Sequence, residues 1–354
     1  MCGICGVKSS AINTENIITK LLSKLYHRGP DNSGFKKFKN FYLGSTRLKI
    51  IDLSNNANMP MTFEQYSISY NGEIYNFKEL RNDLIQLGYK FETNSDTEVI
   101  LKLFSKFGVE SFKKLEGMFS ICIYDNKSEE IYLARDIFGI KPLYYYLDKQ
   151  SFYFSSELTP LTDCFPELKK ISKSALKTYL LKGSILEPKT KYKNFLTVLP
   201  GQVIKVNNNF EIKKFFFQTI KDIILKSENS NEIISEDDLF NEVKFQIKLN
   251  NYSDAKKSIM LSSGIDSLAI KFLSNNIKSF TMGYEDYKNT DNDEIYRLKK
   301  YLNIDPDVSI YITEDENRKI TDKFEKYTDS LSIDGPQYVA ISSRIKLHNY
   351  KMSI

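Results

Sequence analysis

Residues 118–136, MFSICIYDNKSEEIYLARD, set two runs of β-branched and aromatic residues on either side of a polar break. Asp, Asn and Ser in the break are turn residues, and such runs read as strands. Two strands joined so closely pair as an antiparallel hairpin. Outward from it the same pattern recurs in 141–157 (KPLYYYLDKQSFYFSSE), 66–76 (YSISYNGEIYN) and 41–52 (FYLGSTRLKIID). Two helical patterns interleave, FKELRNDLIQLGY at 77–89 and SDTEVILKLFSKFG at 95–108. The second opens with Ser95 and Glu98 in capping spacing, and Gly88 and Gly108 stand where helices should stop. The first ~200 residues therefore predict antiparallel sheets covered by helices, and the length of 354 residues suggests roughly two domains in all.

Beyond a polar stretch at 227–238 (SENSNEIISEDD) the pattern changes. Residues 255–274, AKKSIMLSSGIDSLAIKFLS, read as a buried strand, a Ser/Gly loop and a helix. IKSFTMGYE (277–285), DNDEIYRLKKYLNI (291–304) and DVSIYIT (307–313) continue as strand, helix and strand. Alternation of this kind predicts a parallel α/β sheet. The fold class expected is α+β. Its organisation is a first domain over 2–205, a connecting segment over 206–237 and a partial α/β domain over 238–354.

Bulk properties exclude several function classes. Fifty basic and 45 acidic side chains leave a net charge of +5, evenly mixed, which does not point to nucleic acid. No apolar run is long enough to span a membrane. The opening MCGICGVKSS lacks the charged start and apolar stretch of a secretion signal. Cys2, Cys5, Cys122 and Cys164 show no disulfide framework, so a reduced, cytoplasmic setting is expected. Cys2 and Cys5 form a C-x-x-C. With no second Cys/His pair nearby, it reads as a reactive Cys beside a packed one rather than as a metal or redox pair.

A Cys directly after Met1 has a chemical consequence. Its small side chain permits removal of Met1, which gives Cys2 a free α-amine. The ordinary pKa of such an amine, about 7.7–8.0, suits a general base for the adjacent thiol. His27 and His348 are the only histidines. His27 lies in the turn-like YHRGPD, where a structural or positioning role fits better than base chemistry. Asn71–Gly72 reads either as a hairpin turn or as an amide and a backbone N–H set for an oxyanion. Arg47 can fork onto a carboxylate, and Glu73 and Asp96 can hold an ammonium. Arg47 can equally be a surface strand residue, and Asp96 a helix N-terminal acid.

The set MCGICG, HRGPD, TRLKIID, YNGEIYN, SDTEVI, ARDIFGIKPLYY and FSSE, in this order, resembles the asparagine synthase (glutamine-hydrolysing) family across nearly the whole first ~200 residues. The resemblance implies an N-terminal αββα Ntn-hydrolase sandwich of the class II amidotransferase type. Cys2 is then the nucleophile, and Asn71 and Gly72 are the oxyanion donors. Arg47, Leu48, Lys49, Ile50, Ile51, Asn71, Gly72, Glu73 and Asp96 form the glutamine pocket.

The loop at 261–267 resembles the S-G-G-x-D-S pyrophosphate loop of ATP-pyrophosphatases, with Ser263 in place of the first Gly. The spacing is wrong for a Walker loop. By resemblance Leu261, Ser262, Ser263, Gly264, Asp266, Ser267 and Met282 bind ATP, and Asp266 holds Mg²⁺. The implied reaction amidates aspartate to asparagine with glutamine as nitrogen donor, forming AMP and pyrophosphate. The alternatives are amidation of another carboxylate, such as a sugar acid, and a non-catalytic or regulatory remnant. The family's later S-G-x-G-x-D-E motif is not in the sequence, which ends at Ile354. The synthetase half is therefore expected to be incomplete, with a separate chain as one source of the missing region. Failing that, the acids would have to be Asp293, Glu294 or Asp334. The partners expected are glutamine, aspartate, ATP and a second copy in a homodimer.

Overall fold

The computed structural model describes residues 1–9, 14–228, 234–274, 276–327, 341–342, 345–348 and 350–353. Chain contacts divide it into two units, Met1–Glu232 and Ile233–Ile354.

The first unit runs β1 (Gly3–Ser9), α1 (Thr14–Leu25), β2 (Asn32–Lys37), β3 (Phe41–Arg47), β4 (Met61–Phe63) and β5 (Tyr66–Ile74). It continues with α2 (Phe77–Gln86), α3 (Asp96–Phe107), β6 (Gly117–Asp125), β7 (Glu130–Arg135), β8 (Tyr144–Leu147) and β9 (Ser151–Ser155). It closes with α4 (Leu158–Cys164), α5 (Lys173–Lys182), β10 (Leu196–Thr197), β11 (Gln202–Val206), β12 (Ile212–Phe216) and α6 (Ile220–Glu228). Two six-stranded sheets form, in the orders β10-β8-β9-β1-β3-β2 and β12-β11-β7-β6-β5-β4, with antiparallel neighbours throughout.

Period-two alternation decides which side chains meet. Ile4, Phe41, Leu43, Phe152 and Phe154 face Cys122, Tyr124, Ile131, Leu133 and Ile204 between the sheets. Their neighbours Cys5, Tyr42 and Tyr153 point outward onto Ile18, Leu21 and Leu22 of α1 and onto Leu158 and Leu161 of α4. On the far side of the second sheet, Phe104 of α3 packs edge-on to Tyr66 and Tyr132. The layers are therefore α, β, β, α, the arrangement the family resemblance implies and a form of the helix-covered antiparallel sheets the sequence patterns predict. The stretch 206–237 is more than a connection: β12 pairs with β11 and extends the second sheet.

The second unit holds α7 (Glu236–Asn250), β13 (Lys257–Met260), α8 (Ile265–Leu273), β14 (Lys278–Tyr284), α9 (Glu294–Leu302), β15 (Val308–Ile312), α10 (Glu314–Tyr327) and β16 (Met352–Ser353). Its sheet is parallel, in the order β15-β14-β13-β16. Ile259, Leu261, Ile277 and Leu298 pack one small core, and Phe280 with Ile341 and Ile345 another. This is the expected α/β pattern. Among the described residues, no helix is long and apolar enough to cross a membrane.

Candidate active site

The start of β1, the end of β3, the middle of β5 and the first turn of α3 converge on one recess. Met1, Cys2, Arg47, Leu48, Ile50, Ile51, Met59, Tyr70, Asn71, Gly72, Glu73, Asp96, Thr97 and Lys141 line it. Every residue expected to form the glutamine pocket is there except Lys49. The backbone N–H of Lys49 donates to Asp31 and its ammonium to Asn55 Oδ1 at 2.7 Å.

Asn71 and Gly72 are not a turn. They lie within β5, opposite Ser120 and Phe119 of β6. Asn71 is 1% exposed, and neither its amide nitrogen nor its amide oxygen has a partner. A buried amide left unpaired costs roughly 1–3 kcal/mol, so such groups mark a place where something else binds. A Cβ on Gly72 would fall 2.1 Å from Met118 O and 2.7 Å from Phe119 Cα. Only Gly fits there, against the β6 backbone, and Gly72 lines the recess next to Asn71.

The charged residues of the recess are buried. Asp96 accepts from the Tyr70 hydroxyl at 2.8 Å and from Ile74 N at 3.2 Å. Burial raises its carboxyl to about 6, against those hydrogen bonds, which lower it. Burial, and then the Asp96 charge, raise Glu73 to about 7, while Lys141 pulls the other way. Burial lowers the Arg47 guanidinium, with Cys2 and Asp52 opposing.

Arg47 does two things. Its Nη1 donates to Ser54 O at 2.8 Å and Asn58 Oδ1 at 2.9 Å, and its Nη2 to Ile51 O at 3.2 Å and to Asp52 O. It thus folds the loop after β3 around itself while lining the recess. Ser95 caps α3 by accepting from Glu98 N, but Glu98 does not complete a reciprocal box. Its carboxylate accepts from Glu92 N, Thr93 N and Lys102 instead.

The chain start is held from one side. Arg28 Nε donates to Cys2 O at 2.8 Å, and Arg28 Nη1 to Glu157 Oε1 at 2.7 Å. His27 does not line the recess. Its Nε2 meets Glu157 Oε1 and its Nδ1 meets Lys24 O, each at 3.0 Å. Burial lowers the Met1 amine to about 6; Cys2 opposes this, and Arg28 and Lys141 add to it. Cys5 points to the opposite face of β1, 0% exposed among apolar side chains, and burial pushes its thiol up. With Met1 in place the recess measures about 50 Å³, room for a few waters.

Lys141, Tyr70, Met59 and Thr97 carry no role in the sequence reading. Lys141 lay in plain view inside ARDIFGIKPLYY. Its position follows from a loop stapled at both ends. Asp136 accepts from Phe138 N, Ile140 N and Lys141 N, and Arg135 Nε donates to Lys141 O at 2.8 Å.

In the second unit, the loop between β13 and α8 is closed by serines. The Ser262 and Ser267 hydroxyls lie 2.9 Å apart, and Ser262 N donates to Ser267 Oγ at 3.0 Å. Ser263 N donates to Glu294 Oε1, and Glu294 pairs with Arg297. Ser263 is not among the residues of positive φ, so a side chain is accommodated there without backbone strain. Asp266 is exposed in the first turn of α8, beyond its Gly264 N-cap. Leu261 is buried in one apolar cluster and Met282 packs against the other. Asp293 is buried and accepts from Ile295 N and the Tyr311 hydroxyl, which makes it a helix cap. Asp334 lies outside the described residues. No cluster of three or more His, Cys, Asp or Glu fit for a metal occurs among the described residues.

The description "glutamine amidotransferase domain" matches residues 1–217. Asparagine synthetase [glutamine-hydrolyzing] 1 of Bacillus subtilis (strain 168) is 33% identical over 300 residues, covering 80% of this chain and 46% of that protein. Putative asparagine synthetase [glutamine-hydrolyzing] 2 of Methanocaldococcus jannaschii is 34% identical over 298 residues, covering 76% of this chain and 56% of that protein. The chain spans about half the length of these curated relatives. Among solved structures, the glutamine phosphoribosylpyrophosphate amidotransferase from B. subtilis aligns at a TM-score of 0.47 and 17% identity, covering 78% of this chain and 65% of that one.

Proposed function

The chain belongs to the glutamine amidotransferase domain family, and from that premise we propose that its first unit hydrolyses the side-chain amide of glutamine with Cys2 as nucleophile. Removal of Met1 frees the Cys2 α-amine and widens the recess that Met1 helps to line. The amine accepts the thiol proton. The sulfur attacks the amide carbon, and the oxyanion forms against the Asn71 amide N–H and the Gly72 backbone N–H. The ammonium made at the base returns its proton to the leaving nitrogen, which departs as ammonia. Water then cleaves the thioester, releasing glutamate and restoring the thiol. Glu73 and Asp96 hold the substrate's α-ammonium, and Arg47 faces its α-carboxylate.

The observation that carries this reading is the Asn71 amide. It is buried and unpaired, and it sits beside a Gly that tolerates no side chain. The test is glutamate release from glutamine by the purified chain, with Cys2→Ala as control. Equal release from both proteins would overturn it.

For the second unit we propose nucleotide binding at Leu261–Ser267 and, with the whole protein, use of the released ammonia to amidate aspartate. The names of the relatives and the strand-loop-helix around Ser262, Gly264 and Ser267 support this. Mg²⁺ is usually held by one or two carboxylates plus substrate phosphates. An exposed Asp266 at a helix start fits that role, and the ion would supply charge neutralisation at the phosphates.

A further inference from the structure

Lys141 is 7% exposed, yet its ammonium makes no ion pair or hydrogen bond among the described residues. Buried lysines without a partner are rare, and this one lines the same recess as Cys2. Its backbone is fixed at both ends by Asp136 and Arg135, so it does not swing away. We propose that Lys141 is a positioning residue of the glutaminase, whose charge holds the Cys2 α-amine in its neutral, proton-accepting form. This rests on the reading of Cys2 as nucleophile and of its amine as base.

The other charges around the amine come from every neighbouring element. Arg28, from the turn after α1, is bonded to Cys2 O, but Glu157 offsets its charge. Arg47, at the end of β3, spends its donors on loop carbonyls. Glu73 of β5, when ionised, favours the protonated amine, and Asp96 of α3 lines the same recess. Lys141 is thus a cation of the recess whose ammonium makes no direct bond there, although Glu73 and Asp136 act on its charge. On the Met1 amine burial acts most, and Arg28 and then Lys141 lower it further. Burial also lowers the Lys141 ammonium itself, and Glu73 opposes that. A nearby positive charge disfavours protonation of an amine, so a larger share is ready to accept the thiol proton at neutral pH.

The experiment is the pH dependence of glutaminase kcat in the full chain with Met1 removed, for the parent, Lys141→Met and Lys141→Arg. Reading kcat under saturating glutamine reports the substrate complex, in which the bound α-ammonium holds Glu73 and Asp96 ionised in parent and variants alike. The parent should show an acidic limb. Lys141→Met should move it up by about one pH unit, a tenfold loss of neutral amine below the limb, and Lys141→Arg should leave it in place. If Lys141→Met does not fold, Lys141→Gln is read on the same limb. A limb that stays put in the neutral variant overturns the inference while leaving Cys2 chemistry intact. A parent with no acidic limb overturns the amine as base, and the inference with it.

Discussion

Tyr70 donates its hydroxyl to Asp96 Oδ2 across 2.8 Å, both groups buried beneath the recess. The bond lowers a carboxyl that burial raises to about 6, and burial wins. The sign for stability follows. The folded state holds the Asp96 proton more tightly than the unfolded chain, whose carboxyl titrates near 3.8. Stability is therefore lost as pH rises from about 4 through about 6, and the cost is full above that. Asp96→Asn keeps an oxygen for Tyr70 and Ile74 and removes the charge. It should stabilise the fold at pH 8 by on the order of 2 kcal/mol, with little gain at pH 4, while raising the glutamine KM steeply. Thermal melts at the two pH values check it. A destabilised Asn variant at pH 8 would show that the charge is better solvated than its burial implies.

Cys2 and Cys5 separate chemistry from packing. Cys2→Ala should abolish glutaminase activity and leave the melting temperature nearly unchanged, because the thiol makes only a 3.8 Å contact to Leu48 O. Cys5→Ala should do the reverse, costing about 1–2 kcal/mol of stability for a fully buried side chain with turnover retained. Retaining Met1 should silence the enzyme, and mass spectrometry of active protein should find Met1 gone. Activity at the parent rate with Met1 in place would remove the amine from the mechanism.

Arg47 should behave as two residues in one. Arg47→Ala strands Ser54 O, Ile51 O, Asp52 O and Asn58 Oδ1, so the loop after β3 should loosen as well as the substrate. The expected loss is on the order of 3 kcal/mol in stability together with a large rise in KM. Lysine cannot reach four acceptors at once and should rescue only partly. Hydrogen exchange of residues 50–58 separates the two effects. An unprotected loop in the parent would show that Arg47 does not organise it.

The layers of the first unit were legible because each strand alternates cleanly, as Phe152, Tyr153 and Phe154 do, and because both sheets close through short hairpins. The pocket was legible only through a motif set. Asn71–Gly72 alone fits a turn as well as an oxyanion wall, and what excludes the turn is pairing with Ser120 and Phe119, 49 and 47 residues away in the chain. Lys141 was visible but mute, since its burial depends on Arg135 and Asp136 stapling a loop, which is a tertiary property. β12 lay inside the segment 206–237 read as a connection, although Ile212, Phe215 and Phe216 are strand formers; its pairing with β11 is what makes it part of the sheet.

Asn71 and Gly72 should fail in different ways. Asn71→Ala removes an amide that has no partner to lose, so stability should change by no more than about 1 kcal/mol while kcat falls about 10²–10³-fold. Gly72→Ala drives a methyl against Met118 O and Phe119 Cα and should cost about 1–3 kcal/mol or more by displacing β6. Calorimetry beside turnover distinguishes them. A large destabilisation by Asn71→Ala would mean its amide is bonded within the fold.

The nucleotide loop gives the last test. A phosphate entering between β13 and α8 would use the backbone N–H groups around Ser263, as anions do at helix starts. The N–H of Ser263 is already held by the Glu294 carboxylate, which Arg297 partly neutralises. That carboxylate both occupies a donor and repels a polyphosphate. Glu294→Gln keeps an oxygen to accept from Ser263, so the loop retains its shape while the charge goes. Binding of Mg²⁺-pyrophosphate and Mg²⁺-ATP should therefore tighten, by about tenfold for each 1.4 kcal/mol of repulsion relieved. Ser263→Gly should change little by comparison, because Ser263 is not held at positive φ and a glycine relieves no strain there. Isothermal titration of the parent and both variants measures this directly. Weaker binding in Glu294→Gln would reverse the assignment, making Glu294 an acid that holds the phosphate-bound ion alongside Asp266, and its bond to Ser263 a resting contact that ligand breaks.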